Sequence, residues 1–167
     1  FQAHHQPFNY FERFAPDSAS RGRHLRDGEE FLANIDAGTL QQVAFYKPTA
    51  QLNEHPGYTD ILSGDRHIAE VITRIRKNPK LWDQVAIIVT YDENGGFWDH
   101  VAPPAGDRWG PGSRVPTIIV SPFARKGAVD HTAYDTTSIL KFITLRFGLE
   151  PLPGVRANAG DLTNAFE

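Results

Sequence analysis

Apolar positions along the chain fall into a few short blocks separated by polar, turn-forming stretches. Three runs, 43–46, 85–91 and 115–120, are short enough for strands. The last two are continuous and rich in β-branched residues, the pattern of strands covered on both faces. Ile68, Val71, Ile72 and Ile75 recur at helical spacing, which predicts an amphipathic helix over 65–78 that Asn78-Pro79 stops. A second helix is predicted over 136–147, with Ile139, Leu140, Ile143 and Phe147 inward and Gly148 ending it, and a weaker one over 28–36. The order helix, strand, helix, strand, strand, helix predicts an α/β domain, layered helix-sheet-helix around a mainly parallel sheet. The Gly- and Pro-rich stretch 105–114 reads as a surface loop, and the tail after Pro151 as irregular.

Composition narrows the class. The 167 residues suffice for one domain with a sizeable core, and 40% hydrophobic with 22% charged residues is ordinary for a globular protein. A net charge of −3 with no basic run argues against a nucleic-acid partner. No apolar run has the length of a membrane span, so stable membrane insertion is not expected. Without cysteine there are no disulfides and no thiolate metal sites. The chain has no methionine and opens Phe1-Gln2-Ala3-His4-His5, which predicts a processed or partial polypeptide.

The candidate chemistry gathers where the most apolar run ends, in VTYDENGGFWDHVAPP. In open α/β sheets, ligands bind beyond the carboxyl ends of strands. Asp92 and Glu93 stand at such an end, and two adjacent carboxylates there invite a hard divalent cation. Gly95-Gly96 allows a sharp turn and a close approach to a ligand. The same residues also fit a solvated turn opened by Asp and Asn. Histidines His4, His5 and His55 lie in turn-like stretches; imidazoles near a bound cation would suit phosphate chemistry, and each also fits a surface histidine. His24 and His67 read as structural or surface residues. A zinc protease would need an HExxH helix and a serine hydrolase a G-x-S-x-G elbow, and neither is present.

Several stretches, in order along essentially the whole chain, carry a resemblance: HHQPFNYF, FYKP, NEHPGY, WDQVAIIVTYDENGGFWDHVAPP, GPGSRVPTIIVSPFARKGAVDHTAYDTTSILKFI and DLTNAF. Together they resemble the bacterial acid phosphatase/phospholipase C phosphoesterase family of the alkaline phosphatase-like superfamily. The resemblance implies an alkaline phosphatase-like layered fold and a metal-dependent phosphoric ester hydrolase. It implies that Asp92 and Glu93 are ligands of a divalent metal ion. His4, His5 and His55 would then line a phosphate pocket as catalytic groups, with His100 in a supporting role.

Members of that family are considerably longer, and their N-terminal half carries a Glu-Asn metal motif and a Ser or Thr nucleophile. Residues 1–167 are therefore expected to be the C-terminal part of a single catalytic domain, inactive alone, with the missing N-terminal segment of the same enzyme as its natural partner. Acid phosphatase activity on a phosphate ester is the leading expectation. Phospholipase C action on phosphodiester head groups, or a non-catalytic fragment that keeps the fold, are the alternatives. The resemblance also implies a periplasmic or secreted protein.

Overall fold

Helix starts along the first half are set by side chains that accept the backbone N–H groups a helix leaves unpaired at its beginning. In the computed structural model, which describes residues 3–167, Ser18 caps α1 (Ala19–His24) by accepting from the Arg21 amide at 3.0 Å. Asp27 caps α2 (Gly28–Ala37) through the Glu30 amide at 3.0 Å. Asp60 caps α3 (Ile61–Lys77) through the Ser63 amide at 2.7 Å. The long helix thus begins four residues before the predicted start, because the capping aspartate, not the first apolar position, sets where it starts. Asn78 ends α3 and caps α4 (Pro79–Trp82), whose first residue is a proline that has no N–H to lose.

The chain divides into two compact units, Phe1–Gln84 and Val85–Glu167. In the first, Ile35 of α2, Val71 and Ile75 of α3, Leu81 of α4 and Ala50 form the buried apolar core. The Asn78 side-chain amide ties the helices together by donating to the carbonyls of Ile35 (2.8 Å) and Asp36 (3.2 Å). The predicted strand at 43–46 is not a strand. Val43 and Phe45 are exposed, and the segment is anchored by Tyr46, whose ring stacks on Phe31 and whose hydroxyl meets His67 Nε2 at 2.7 Å. Among the described residues no strand pairs with it to satisfy its backbone, and Tyr46 anchors it instead.

The second unit holds the sheet, so the chain as a whole mixes helices with a small sheet. Strands β1 (Ile87–Thr90) and β2 (Thr117–Val120) pair antiparallel, Ile87 opposite Val120 and Thr90 opposite Thr117. The described residues form these two strands and no parallel pair. A parallel pair requires a crossover, commonly a helix, and the connection from β1 to β2 contains none. The Thr90 and Thr117 hydroxyls, 2.9 Å apart, close the end of the ladder. Helix α5 (Thr137–Phe147) ends at Gly148 as predicted. The tail is irregular as predicted, apart from the 3-10 turn Thr163–Ala165, but it is packed: Leu162 is buried, Phe166 stacks on Phe142, and Lys141 donates to the carbonyls of Ala157 and Ala159.

Candidate functional site

The candidate residues fall in both units. In the first, the described 3-10 turn Ala3–His5 brings the His4 and His5 rings into an edge contact, centroids 4.3 Å apart. His55 follows Asn53, whose side-chain oxygen accepts from the His55 amide at 3.0 Å. Its ring Nδ1 lies 2.7 Å from the Pro56 carbonyl. A carbonyl oxygen only accepts, so Nδ1 carries the proton. In the neutral ring, Nε2 is then the basic nitrogen, the arrangement that prepares an imidazole for proton transfer or anion contact.

Glu54, immediately before His55, was not singled out by sequence reasoning. Its side chain is buried and its backbone has φ +62°, a conformation uncommon outside glycine. It packs against Gly64 of α3, where a β-carbon would overlap the Glu54 side chain. Gly64 gave no hint in the sequence, because the predicted helix began at residue 65; only in the structure does it prove to be a glycine inside the helix, where it costs about 1 kcal/mol relative to alanine.

In the second unit, Asp92 and Glu93 stand two and three residues beyond the end of β1, and both are exposed. The turn that carries them is shaped from within. Glu93 Oε2 accepts from the Gly95 amide at 2.7 Å, and Asn94 Oδ1 from the Gly96 amide at 3.2 Å. Gly95 (φ 60°) and Gly96 (φ 80°) are left-handed, which lets the backbone fold back so tightly beneath the two carboxylates.

Beside the turn lies an open cleft of about 440 Å³, lined by Tyr91, Phe97, Trp98, Asp99, His100 and Arg114 among others. Arg114 grips Asp99 with two parallel bonds, Nε to Oδ2 at 2.7 Å and Nη2 to Oδ1 at 2.9 Å, and the Val101 amide adds a third at 2.9 Å. The Arg114 fork, then the Val101 amide, hold the Asp99 carboxyl well below the usual carboxylate range despite its partial burial. His100 is largely exposed, its Nδ1 3.6 Å from Asp99. The Asp99–Arg114 pair was also missed, because nothing local announces a partner beyond a long loop.

Asp92 and Glu93 suit a hard cation by donor type, but two carboxylates complete only part of the six or more oxygen positions such an ion takes. One of their oxygens is also already engaged by Gly95. Among the described residues, no group of three or more His, Cys, Asp and Glu side chains converges as a metal site. The donors fit a share of a metal centre and not a whole one.

Comparison with known proteins places these features in a family. A profile of the Phosphoesterase family matches residues 1–150. The chain is 32% identical to the non-hemolytic phospholipase C of Pseudomonas aeruginosa, over 95% of this chain and 28% of that protein. It is 34% identical to phospholipase C B of Mycobacterium tuberculosis, over 82% of this chain and 31% of that protein. Similarity extends to the non-specific phospholipase C1 of Arabidopsis thaliana, 36% identical over 47% of this chain. The chain thus spans about three-tenths of the length of the bacterial relatives. All three are named as phospholipases C, which favours the phosphodiester alternative over the acid phosphatase that was the leading expectation.

Proposed function

The chain belongs to the phosphoesterase family, and from that premise we propose that it supplies part of the active site of a phosphodiester hydrolase of the phospholipase C kind. The observation that carries this reading is the turn after β1. It holds Asp92 and Glu93 side by side on a glycine hinge, within the region shared with relatives named phospholipase C. No described helix is long and apolar enough to cross a membrane, and we place the enzyme in the periplasm or outside the cell by analogy with its family. The layered, mainly parallel sheet belongs to the same proposal, with its further strands lying outside this chain.

In this reading Asp92 and Glu93 are two of the ligands of a divalent cation, the others coming from outside this chain. Such an ion would neutralise charge on the phosphoryl oxygens. His55 has the wiring for proton transfer: with the Nδ1 proton held by the Pro56 carbonyl, the basic Nε2 is the nitrogen that takes up a proton and passes it to the leaving alkoxide. His4 and His5, as imidazolium groups, bind phosphate oxygens. His100, beside Asp99, shapes the cleft wall. A nucleophile is required in line with the leaving group, and we place it outside residues 1–167, so this chain alone is expected to be inactive.

The test is turnover by the full-length protein with added divalent metal, comparing phosphatidylcholine with p-nitrophenyl phosphate. Diester hydrolysis should dominate. Asp92→Asn should abolish it while leaving the circular dichroism spectrum unchanged, and His55→Ala should lower it roughly 10²- to 10⁴-fold. A preference for the monoester, or full activity in Asp92→Asn, overturns the proposal.

A further inference from the structure

Between β1 and β2 the chain makes a long excursion that is pinned twice. Near its base, Arg114 grips Asp99. At its tip, Asp107 and Gly110 exchange backbone hydrogen bonds, Asp107 N–H to Gly110 O at 2.9 Å and the reverse at 3.3 Å, leaving Arg108 and Trp109 as a two-residue turn. Arg156 of the tail braces that turn. Its Nη2 lies 3.2 Å from both Asp107 carboxylate oxygens, while its Nη1 reaches Asp135 at 3.1 Å. Gly106 lies so close to the Gly110 carbonyl that no side chain would fit there.

What this anchored turn displays is a large apolar group. Trp109 is 79% exposed, and the Arg108 guanidinium sits over its ring, 4.4 Å from the centroid. Trp98, 85% exposed, lies on the same excursion. The brace, and the Arg108 guanidinium over the ring, distinguish this indole from the other exposed apolar side chains: it is held in water, where hydrating its apolar surface is unfavourable.

We propose that the Arg108-Trp109 turn docks the protein on a phospholipid surface. The indole enters the boundary between head groups and acyl chains, and the guanidinium remains among the lipid phosphates. This inference rests on the phospholipase C reading, which requires the enzyme to work at a bilayer. The pairing of an amphipathic ring with an adjacent cation is the composition of membrane-interface anchors. Size argues the same way. A protein partner needs about 800 Å² of matched surface on each side, which a two-residue tip does not offer, whereas a fluid lipid surface closes around a small projection.

The experiment is co-sedimentation of the full-length protein with phosphatidylcholine vesicles, with and without phosphatidylserine. Alongside it, hydrolysis of a short-chain phosphatidylcholine is measured below its micelle concentration. Trp109→Ala should weaken vesicle partitioning about tenfold, with hydrolysis of the monomeric lipid unchanged and Trp109→Phe retaining much of the binding. Arg156→Gln, which releases the brace, should give an intermediate loss. Unchanged partitioning in Trp109→Ala overturns the inference. So does a change in oligomeric state or protease resistance in place of vesicle binding, which would show the turn covered by a second copy or by the rest of the polypeptide. Absence of hydrolysis on monomeric and vesicle lipid alike counts against the phospholipase C reading, whereas vesicle partitioning alone decides the docking inference.

Discussion

Each unit is held together internally by different physics. Among the described residues, five of the six buried apolar ones, Ile35, Ala50, Val71, Ile75 and Leu81, belong to the first unit and the sixth, Leu162, to the second. The second relies on polar bracing: the Asp99–Arg114 fork, the Asp107–Arg156–Asp135 chain, and Lys141 holding two tail carbonyls. Apolar burial does not itself titrate, whereas charge-assisted bonds depend on pH and are screened by salt. The unit with the candidate carboxylates and the displayed tryptophans is therefore the one whose shape responds to solution conditions.

The contrast breaks most sharply at Ile35, which is fully buried. Ile35→Ala should destabilise the first unit by about 2–5 kcal/mol, through lost burial and the cavity left behind. Urea denaturation of the full-length protein, followed at residues of each unit, should show the loss in the first unit. A cost below about 1 kcal/mol would show that the helices repack freely and that the unit lacks a true core.

Next in size is Asp135, whose side chain is nearly buried and accepts from the Thr137 amide, the Thr137 hydroxyl and Arg156. Burial alone would raise its pKa, but the bonds from Thr137 and Arg156 outweigh it and leave the pKa lowered. Asp135→Asn should cost about 1–3 kcal/mol. The loss should be non-additive with Arg156→Gln, because both changes break one network.

Asp99, Asp107 and Asp161 are lowered as well, by Arg114, by the Trp109 amide and by Thr163 respectively. In the first unit Asp60 is similarly lowered by the Ser63 amide it caps. A folded carboxyl with a depressed pKa contributes its full stability above the ordinary aspartate range near pH 4, and loses it as pH falls through the lower folded value. Acidification below about pH 4 should therefore loosen the second unit before the first, as followed by amide chemical shifts in each. Simultaneous loss would erase the contrast.

The smallest effect belongs to Arg26 and Glu30, paired at 2.6 Å but both about half exposed. Arg26→Ala should change stability by no more than about 0.5 kcal/mol in the same denaturation series. A larger loss would show that surface charge also braces the first unit.

Much of this was legible locally. The α5 boundaries and the end of α3 follow from apolar spacing, Gly148 and Asn78-Pro79, all within a few residues of the structure they specify. Helical periodicity and capping are satisfied within a turn or two of chain, so the sequence alone decides them. The carboxylate pair was legible too, since a strand ending on Asp92-Glu93-Asn94-Gly95-Gly96 announces itself in the order of residues. Strand direction, the fate of the run at 43–46, the burial of Glu54 against Gly64 and the partners of Asp99 and Asp135 were decided only by the tertiary structure. Each depends on groups from distant parts of the chain, such as Thr90 with Thr117 or Asp107 with Arg156, and no local pattern carries the identity of a partner that only folding brings near.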